Sequence, residues 1–182
     1  MRLSNAEKII LLLLADIYEH LDIEGVNPEL IREAIYSNNL WALEWYFQMV
    51  PFDDEPVSHE VVHEVVDILE MWNAIEMSYE QLSQEERERV AAEAEPFGRN
   101  PRFPGIDLNT ETEHYSVATM LIDHLGRFSR FRGRDLQSHH PVLEAYRRML
   151  EVYIPLRDNE QLPLSADNLI AILQEQVHPS NR

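Results

Sequence analysis

The chain has 182 residues and no cysteine. Disulfide bonds, thiolate nucleophiles, iron–sulfur clusters and cysteine-ligated zinc sites are therefore excluded. Glycine is also scarce, at five residues, which argues against many short strands joined by tight turns. The apolar run Ile9–Leu14 is too short to span a bilayer, and the N-terminal segment lacks a signal-peptide cleavage pattern. We therefore expect a cytoplasmic protein.

Basic residues are few relative to acidic ones. The chain has 15 lysines and arginines against 33 aspartates and glutamates, for a net charge of −18. A field of that sign repels nucleic acid and anionic membranes, so neither is an expected partner, although a local basic site can still exist. The length and the hydrophobic content of 45% fit a single globular domain over residues 1–182.

Helix start signals recur along the chain. Ser4 with Glu7 and Ser83 with Glu86 have the spacing of a capping box, and Asn27 precedes a proline at a first helical position. Apolar residues then repeat at helical intervals. The pattern predicts an all-α single domain of about seven or eight helices. A helical hairpin over about 58–95 is a candidate for projecting from that domain.

Prolines predict where helices stop. The stretch 51–56 is predicted to be a loop, and a helix starting at Pro141 is predicted to end near Tyr153, before Pro155. The longest irregular stretch is Pro96–Leu108. We interpret it as an ordered loop, because the side chains of Phe97, Phe103 and Ile106 can anchor it to the core.

Five short blocks of the sequence resemble the YfbU family. They are Asp67–Trp72 followed by Ala74, Ser78 and Leu82; Phe103–Asp107 followed by Thr110 and Glu111; Gly126–Phe128; Tyr146–Val152; and Leu164–Ala166. Their order and spacing agree over more than half of the chain. The resemblance implies an all-helical bacterial protein. It implies no catalytic residues, because the family has none agreed.

The motif His59-Glu60-Val61-Val62-His63 fits the pattern H-E-x-x-H on a predicted helix. In metallohydrolases with this motif, two histidines one turn apart bind zinc and the glutamate is the general base. No third ligand is evident, and the helical pattern places His59 and His63 opposite the apolar stripe, on a face expected to be solvated. A zinc-dependent hydrolase using His59, His63 and Glu60 is therefore an alternative to a protein without a metal cofactor.

A basic segment runs from Gly126 to Arg134, with two phenylalanines among its four arginines: Arg127, Arg130, Arg132 and Arg134. Guanidinium forks suit phosphate, so a small-anion or nucleotide site is one hypothesis. The other is that the segment pairs with acidic residues of the same chain, with its phenylalanines buried as anchors.

The short helix that begins at Leu40 has two apolar stripes. Leu40, Leu43 and Phe47 form one, while Trp41 and Trp45 form the other. Such a helix is ordinarily buried on both sides, and the alternative is that one side meets a partner.

No set of residues in the sequence assembles into a convincing catalytic site. The leading hypothesis is therefore a non-catalytic interaction or regulatory protein that forms homo-oligomers through a helical surface, with a protein partner also considered.

Overall fold

The computed structural model describes residues 3–47 and 57–178, and the predicted loop at 51–56 lies outside them. The chain divides into two compact units, Met1–Pro56 and Val57–Arg182. Each unit is treated below by itself, and the organisation of residues 1–182 as one domain stays a prediction.

The first unit contains three helices, α1 (Asn5–His20), α2 (Pro28–Tyr36) and α3 (Trp41–Tyr46). The capping box of Ser4 and Glu7 starts α1, and the Asn27 side chain caps α2, as the sequence predicts. Helix α2 packs against both α1 and α3. The core of this unit is small, with five buried hydrophobic residues: Ala15, Ile31, Ala34, Ile35 and Leu43.

The second unit is built around one long helix. Its helices are α4 (His59–Gln81), α5 (Gln84–Glu93), α6 (Thr112–Thr119), α7 (Leu143–Asp158) and α8 (Ala166–Gln174). Helix α4 packs against α6, α7 and α8, and α8 also packs against α5. With the first unit, the described residues contain eight α-helices and no strand, so the all-α prediction is confirmed. None of these helices is both long and apolar enough to cross a membrane.

The hairpin considered for residues 58–95 does not project. Val65, Ile68 and Ile75 of α4 are fully buried, and Val90 of α5 is fully buried as well. The physical reason is that α4 is apolar around much of its circumference, so it is covered by several helices rather than along one stripe. Helix α7 also departs from prediction, since it continues past Pro155 to Asp158.

The proline-rich loop after α5 is ordered, as predicted. The backbone N–H of Phe103 donates to Glu76 Oε1 at 2.9 Å, and the Tyr146 hydroxyl donates to the Gly105 carbonyl at 2.7 Å. Phe103 and Ile106 are buried anchors, whereas Phe97 remains 37% exposed. The loop is therefore pinned by buried hydrogen bonds as well as by two of the three predicted side chains.

Gly105 lets this loop lie directly against the segment before α7. Its φ angle is +97°, and a Cβ atom there would lie 2.3 Å from the Leu136 carbonyl oxygen. Any side chain would therefore clash with backbone, and the conformation itself favours glycine. The neighbouring Ile106 N–H donates to the same carbonyl at 2.9 Å.

A buried glutamate caps α7 from a distant position in the sequence. Glu111 Oε1 accepts the N–H groups of Val142 and Leu143 at 2.7 and 2.8 Å, and Oε2 accepts the Asp107 N–H at 3.0 Å. The first N–H groups of a helix lack partners within the helix. Glu111 satisfies two of them and, being an anion, also suits the positive end of the helix dipole.

A π-helical turn follows α6. It spans Met120–His124, and the Leu125 N–H donates to the Met120 carbonyl five residues earlier, at 2.9 Å. The predicted helix from Thr110 to about Leu125 is thus interrupted by one wide turn.

We expect Glu111→Ala to lower the free energy of unfolding of the second unit by about 2–4 kcal/mol, because three buried N–H groups lose their acceptor. The control is Glu113→Ala, which removes an exposed carboxylate from the same helix and should change stability by less than about 0.5 kcal/mol. Both are measured by urea unfolding in a Trp41→Phe/Trp45→Phe background, where Trp72 is the remaining fluorophore. Equal losses in the two variants would contradict this role of Glu111.

Candidate functional site

The predicted basic segment is partly neutralised within the second unit. Arg134 forms a two-pronged ion pair with the buried carboxylate of Glu76, through contacts of 2.7 and 2.8 Å. Arg130 Nη1 lies 2.7 Å from Glu80 Oε1. Two of the four arginines therefore point at carboxylates of α4, which raise the pKa of Arg134 above its ordinary value through hydrogen bonding to Glu76.

The other two arginines of the segment are exposed. Arg127 and Arg132 form no ion pair with any residue that the structure describes. Phe131 is fully buried and Phe128 is half-buried, which agrees with their predicted role as anchors. The four guanidinium groups thus do not form one shared cluster around an anion.

The H-E-x-x-H motif lies at the exposed start of α4. The Ser58 hydroxyl accepts the Val61 N–H and starts the helix one residue before His59. His59, Glu60 and His63 are all exposed. Among residues 3–47 and 57–178, no three His, Asp or Glu side chains are grouped so that they could hold a metal ion, so the histidines have no third ligand there.

Glu64, the residue after the motif, has the contacts that the motif lacks. Its carboxylate lies 2.7 Å from His114 Nε2 and accepts hydrogen bonds from Arg147 at 2.6 and 3.0 Å. The hydrogen bond from Arg147 lowers the pKa of Glu64 to about 2, and His114 assists while burial opposes the shift. Sequence analysis missed this group, because its members are 50 and 83 positions apart.

The two tryptophans of α3 are exposed. Trp41 is 57% exposed and Trp45 is 75% exposed, so this helix is not buried on both sides. Their rings meet edge to face at a centroid distance of 5.8 Å, and the Trp41 indole N–H donates to Asn39 Oδ1 at 3.1 Å. The pair is therefore held in a defined arrangement while its apolar surface remains open.

Helix α1 carries the larger exposed apolar surface. Six of its aliphatic side chains, here called the α1 stripe, are about half exposed or more: Ile9, Ile10, Leu13, Leu14, Ile17 and Leu21. At about 100° per residue, Ile10, Ile17 and Leu21 lie within about 40° of one another, so they form the centre of one face. The opposite face of α1 carries Ala15, which is buried against the small core.

No charged side chain belongs to the α1 stripe. The acids Asp16 and Glu19 are both paired with Arg32 of α2, at 3.0 and 2.5 Å. Glu7, the charged residue nearest to the stripe, accepts the hydrogen bonds of the Ser4 capping box. The stripe is therefore an uncharged face on a chain whose net charge is −18.

Comparison with known proteins gives two matches. A family model described as the YfbU domain matches residues 1–175. The UPF0304 protein MJECS11 of Methanocaldococcus jannaschii is 27% identical over 127 residues, which are 67% of this chain and 70% of that protein.

The Glu64 cluster gives a prediction about acid stability. The pKa of Glu64 is about 2 in the folded protein, below its ordinary value of 4.5, so its stabilising effect is complete above about pH 4.5 and is lost as the pH falls through about 2. Wild type should therefore lose about 2 kcal/mol more than Glu64→Gln between pH 6 and pH 2. Urea unfolding at a series of pH values measures this difference. Glu60→Gln is the exposed control, and a wild-type profile parallel to that of Glu64→Gln would contradict the prediction.

Proposed function

The chain belongs to the YfbU family, and from that premise we propose that it is a non-catalytic interaction protein that associates with a second copy of itself through the α1 stripe. The exposed, uncharged face of α1 is the observation that supports this proposal. The proposed function requires no cofactor, metal or nucleic acid, and the compartment that the sequence favours is the cytoplasm.

The size of the stripe suits a dimer. Six aliphatic side chains at about half exposure present on the order of 500 Å² of apolar surface, which is near the upper end for the largest patch of a monomer. Two copies meeting across this face would bury about 1,000 Å² in total, the size that a specific interface must reach. Burying that apolar surface is also the main favourable term in association.

The small core of the first unit supports the same conclusion. A unit of this length that buries only five hydrophobic residues has little stability of its own. Covering the α1 stripe would add six aliphatic side chains to its buried surface. Association would therefore stabilise the fold of this unit as well as join two chains.

Charge favours the stripe as the meeting point of two copies. Each copy carries a charge of −18, so most pairs of surfaces repel each other. The α1 stripe is uncharged, and its aliphatic residues need no partner of opposite sign. A face that is self-complementary in this way suits a twofold interface, in which the same patch is used by both chains.

The Trp41–Trp45 pair is proposed to belong to the same interface. Tryptophan is enriched among the residues that contribute most to binding, and the contact of Trp41 with Asn39 fixes its ring before association. Trp41 and Trp45 would then provide a smaller aromatic contact beside the aliphatic stripe.

We expect wild type to elute at twice the chain mass of 21.4 kDa, and Leu13→Glu/Ile17→Glu to elute as a monomer. Two carboxylates at the centre of the stripe would be buried without partners, which an interface does not tolerate. Size-exclusion chromatography with multi-angle light scattering measures both masses. The matched control is Met120→Glu/Leu125→Glu, which places two glutamates at exposed apolar positions of the second unit and should remain dimeric.

A wild type that stays monomeric at high concentration would contradict self-association. If it is monomeric and Leu13→Glu/Ile17→Glu also loses thermal stability, then the occupant of the stripe is another part of the same chain. A control variant that dissociates as readily as the stripe variant would show that added negative charge, rather than the α1 stripe, decides the oligomeric state.

For the aromatic pair, we expect Trp41→Ala/Trp45→Ala to raise the dissociation constant of the dimer by about tenfold or more, the effect of removing about 1.4 kcal/mol of binding energy. Analytical ultracentrifugation over a range of concentrations measures this constant. An unchanged value would remove the tryptophans from the interface and leave the α1 stripe as its sole proposed component.

A further inference from the structure

A hollow of about 490 Å³ opens in the second unit beside the loop that follows α5. Its floor includes Trp72 and Tyr146, which are each 99% buried. Phe97 lines it as well, and that ring is the one predicted anchor that stays partly exposed. Its volume lies in the range of small-molecule sites, which are mostly apolar with a few polar groups.

The charge of this hollow is opposite to that of the chain. Two arginines and a histidine line it, namely Arg99, Arg102 and His140. No aspartate or glutamate lines it, although the chain has 33 of these residues. Random placement of side chains on so acidic a surface would not produce this segregation.

Both arginines are available to a ligand. Arg99 and Arg102 are exposed, and neither forms an ion pair with a residue that the structure describes. This differs from Arg130 and Arg134, whose guanidinium groups are already paired with carboxylates. The segment that carries Arg99 and Arg102 can therefore receive an anion without first breaking a contact.

The walls of the hollow are held in place before any ligand arrives. The N–H groups of Phe97 and Gly98 donate to the Ala94 carbonyl at 2.8 and 2.7 Å, and the Phe103 N–H donates to the buried Glu76 carboxylate. A Cβ atom on Gly98 would lie 2.0 Å from the Val90 carbonyl oxygen, so the loop lies directly on α5. A wall fixed in this way loses little conformational entropy on binding.

We propose that this hollow binds a small organic anion with a flat apolar body and a carboxylate or phosphate group. The body lies against Phe97 and Trp72, and the anionic group contacts the forks of Arg99 and Arg102, which match the geometry of both oxyanions. The site belongs to the second unit and is independent of the α1 stripe, so it extends the proposed function rather than resting on it.

The test uses phenyl phosphate as the probe, with the Trp41→Phe/Trp45→Phe protein in ¹H–¹⁵N correlation spectra. We expect phenyl phosphate to shift the Trp72 indole resonance and the backbone resonances of residues 97–102 in a saturable way. Inorganic phosphate and benzyl alcohol carry only one half of the proposed ligand, and each should bind at least about tenfold more weakly. Phenylacetate, compared with phenyl phosphate, distinguishes a carboxylate ligand from a phosphate ligand.

The decisive variant is Arg99→Gln/Arg102→Gln, in which phenyl phosphate should bind about tenfold more weakly or worse. The matched control is Arg127→Gln/Arg132→Gln, which removes the same charge from two other exposed, unpaired arginines and should leave binding within about twofold. Unperturbed spectra elsewhere confirm that both variants are folded.

Three outcomes would overturn the proposal. They are an unshifted Trp72 indole, equal weakening in the two arginine variants, and binding of inorganic phosphate or benzyl alcohol as tight as that of phenyl phosphate. The second outcome would mean that the probe responds only to the total charge of the protein.

Discussion

Two buried carboxylates hold the irregular segments of the second unit against its helices. A buried charge is tolerated only when it is paired or hydrogen-bonded. Glu76 meets this requirement through Arg134 and the Phe103 N–H, and Glu111 meets it through three backbone N–H groups. Because these partners come from distant parts of the sequence, each carboxylate fixes the position of a loop. The hollow beside Trp72 has defined walls for this reason.

The first unit solves a different physical problem. Its three helices bury five hydrophobic residues, while α1 alone leaves six aliphatic side chains about half exposed or more. Apolar surface of this extent is costly in water unless another surface covers it. The unit thus depends on association for part of its stability, whereas the second unit depends on buried polar contacts. The two proposed sites follow this division, one being a broad apolar face and the other a small basic hollow.

Local features of the structure could be predicted from the sequence, and distant pairings could not. The caps at Ser4, Asn27 and Ser83 are confirmed, because a cap involves residues three positions apart. The end of α7 was predicted wrongly, because Pro155 lies in a last turn whose Arg157 is held by Asp67, 90 positions earlier. For the same reason the partners of Arg130 and Arg134 could not be assigned, although pairing with acidic residues was one of the two hypotheses.

The periodicity of α1 likewise shows that the helix is apolar on much of its surface, but periodicity cannot show which face a neighbour covers. The π-helical turn at Met120–His124 has a consequence for how this sequence can change over evolution. Such a turn contains one residue more than a regular helical turn. Deleting a residue there would restore a regular helix and rotate everything after it by about 100°. The basic segment that follows would then be turned away from Glu76 and Glu80. Substitutions in this stretch are therefore more easily accommodated than the gain or loss of a single position.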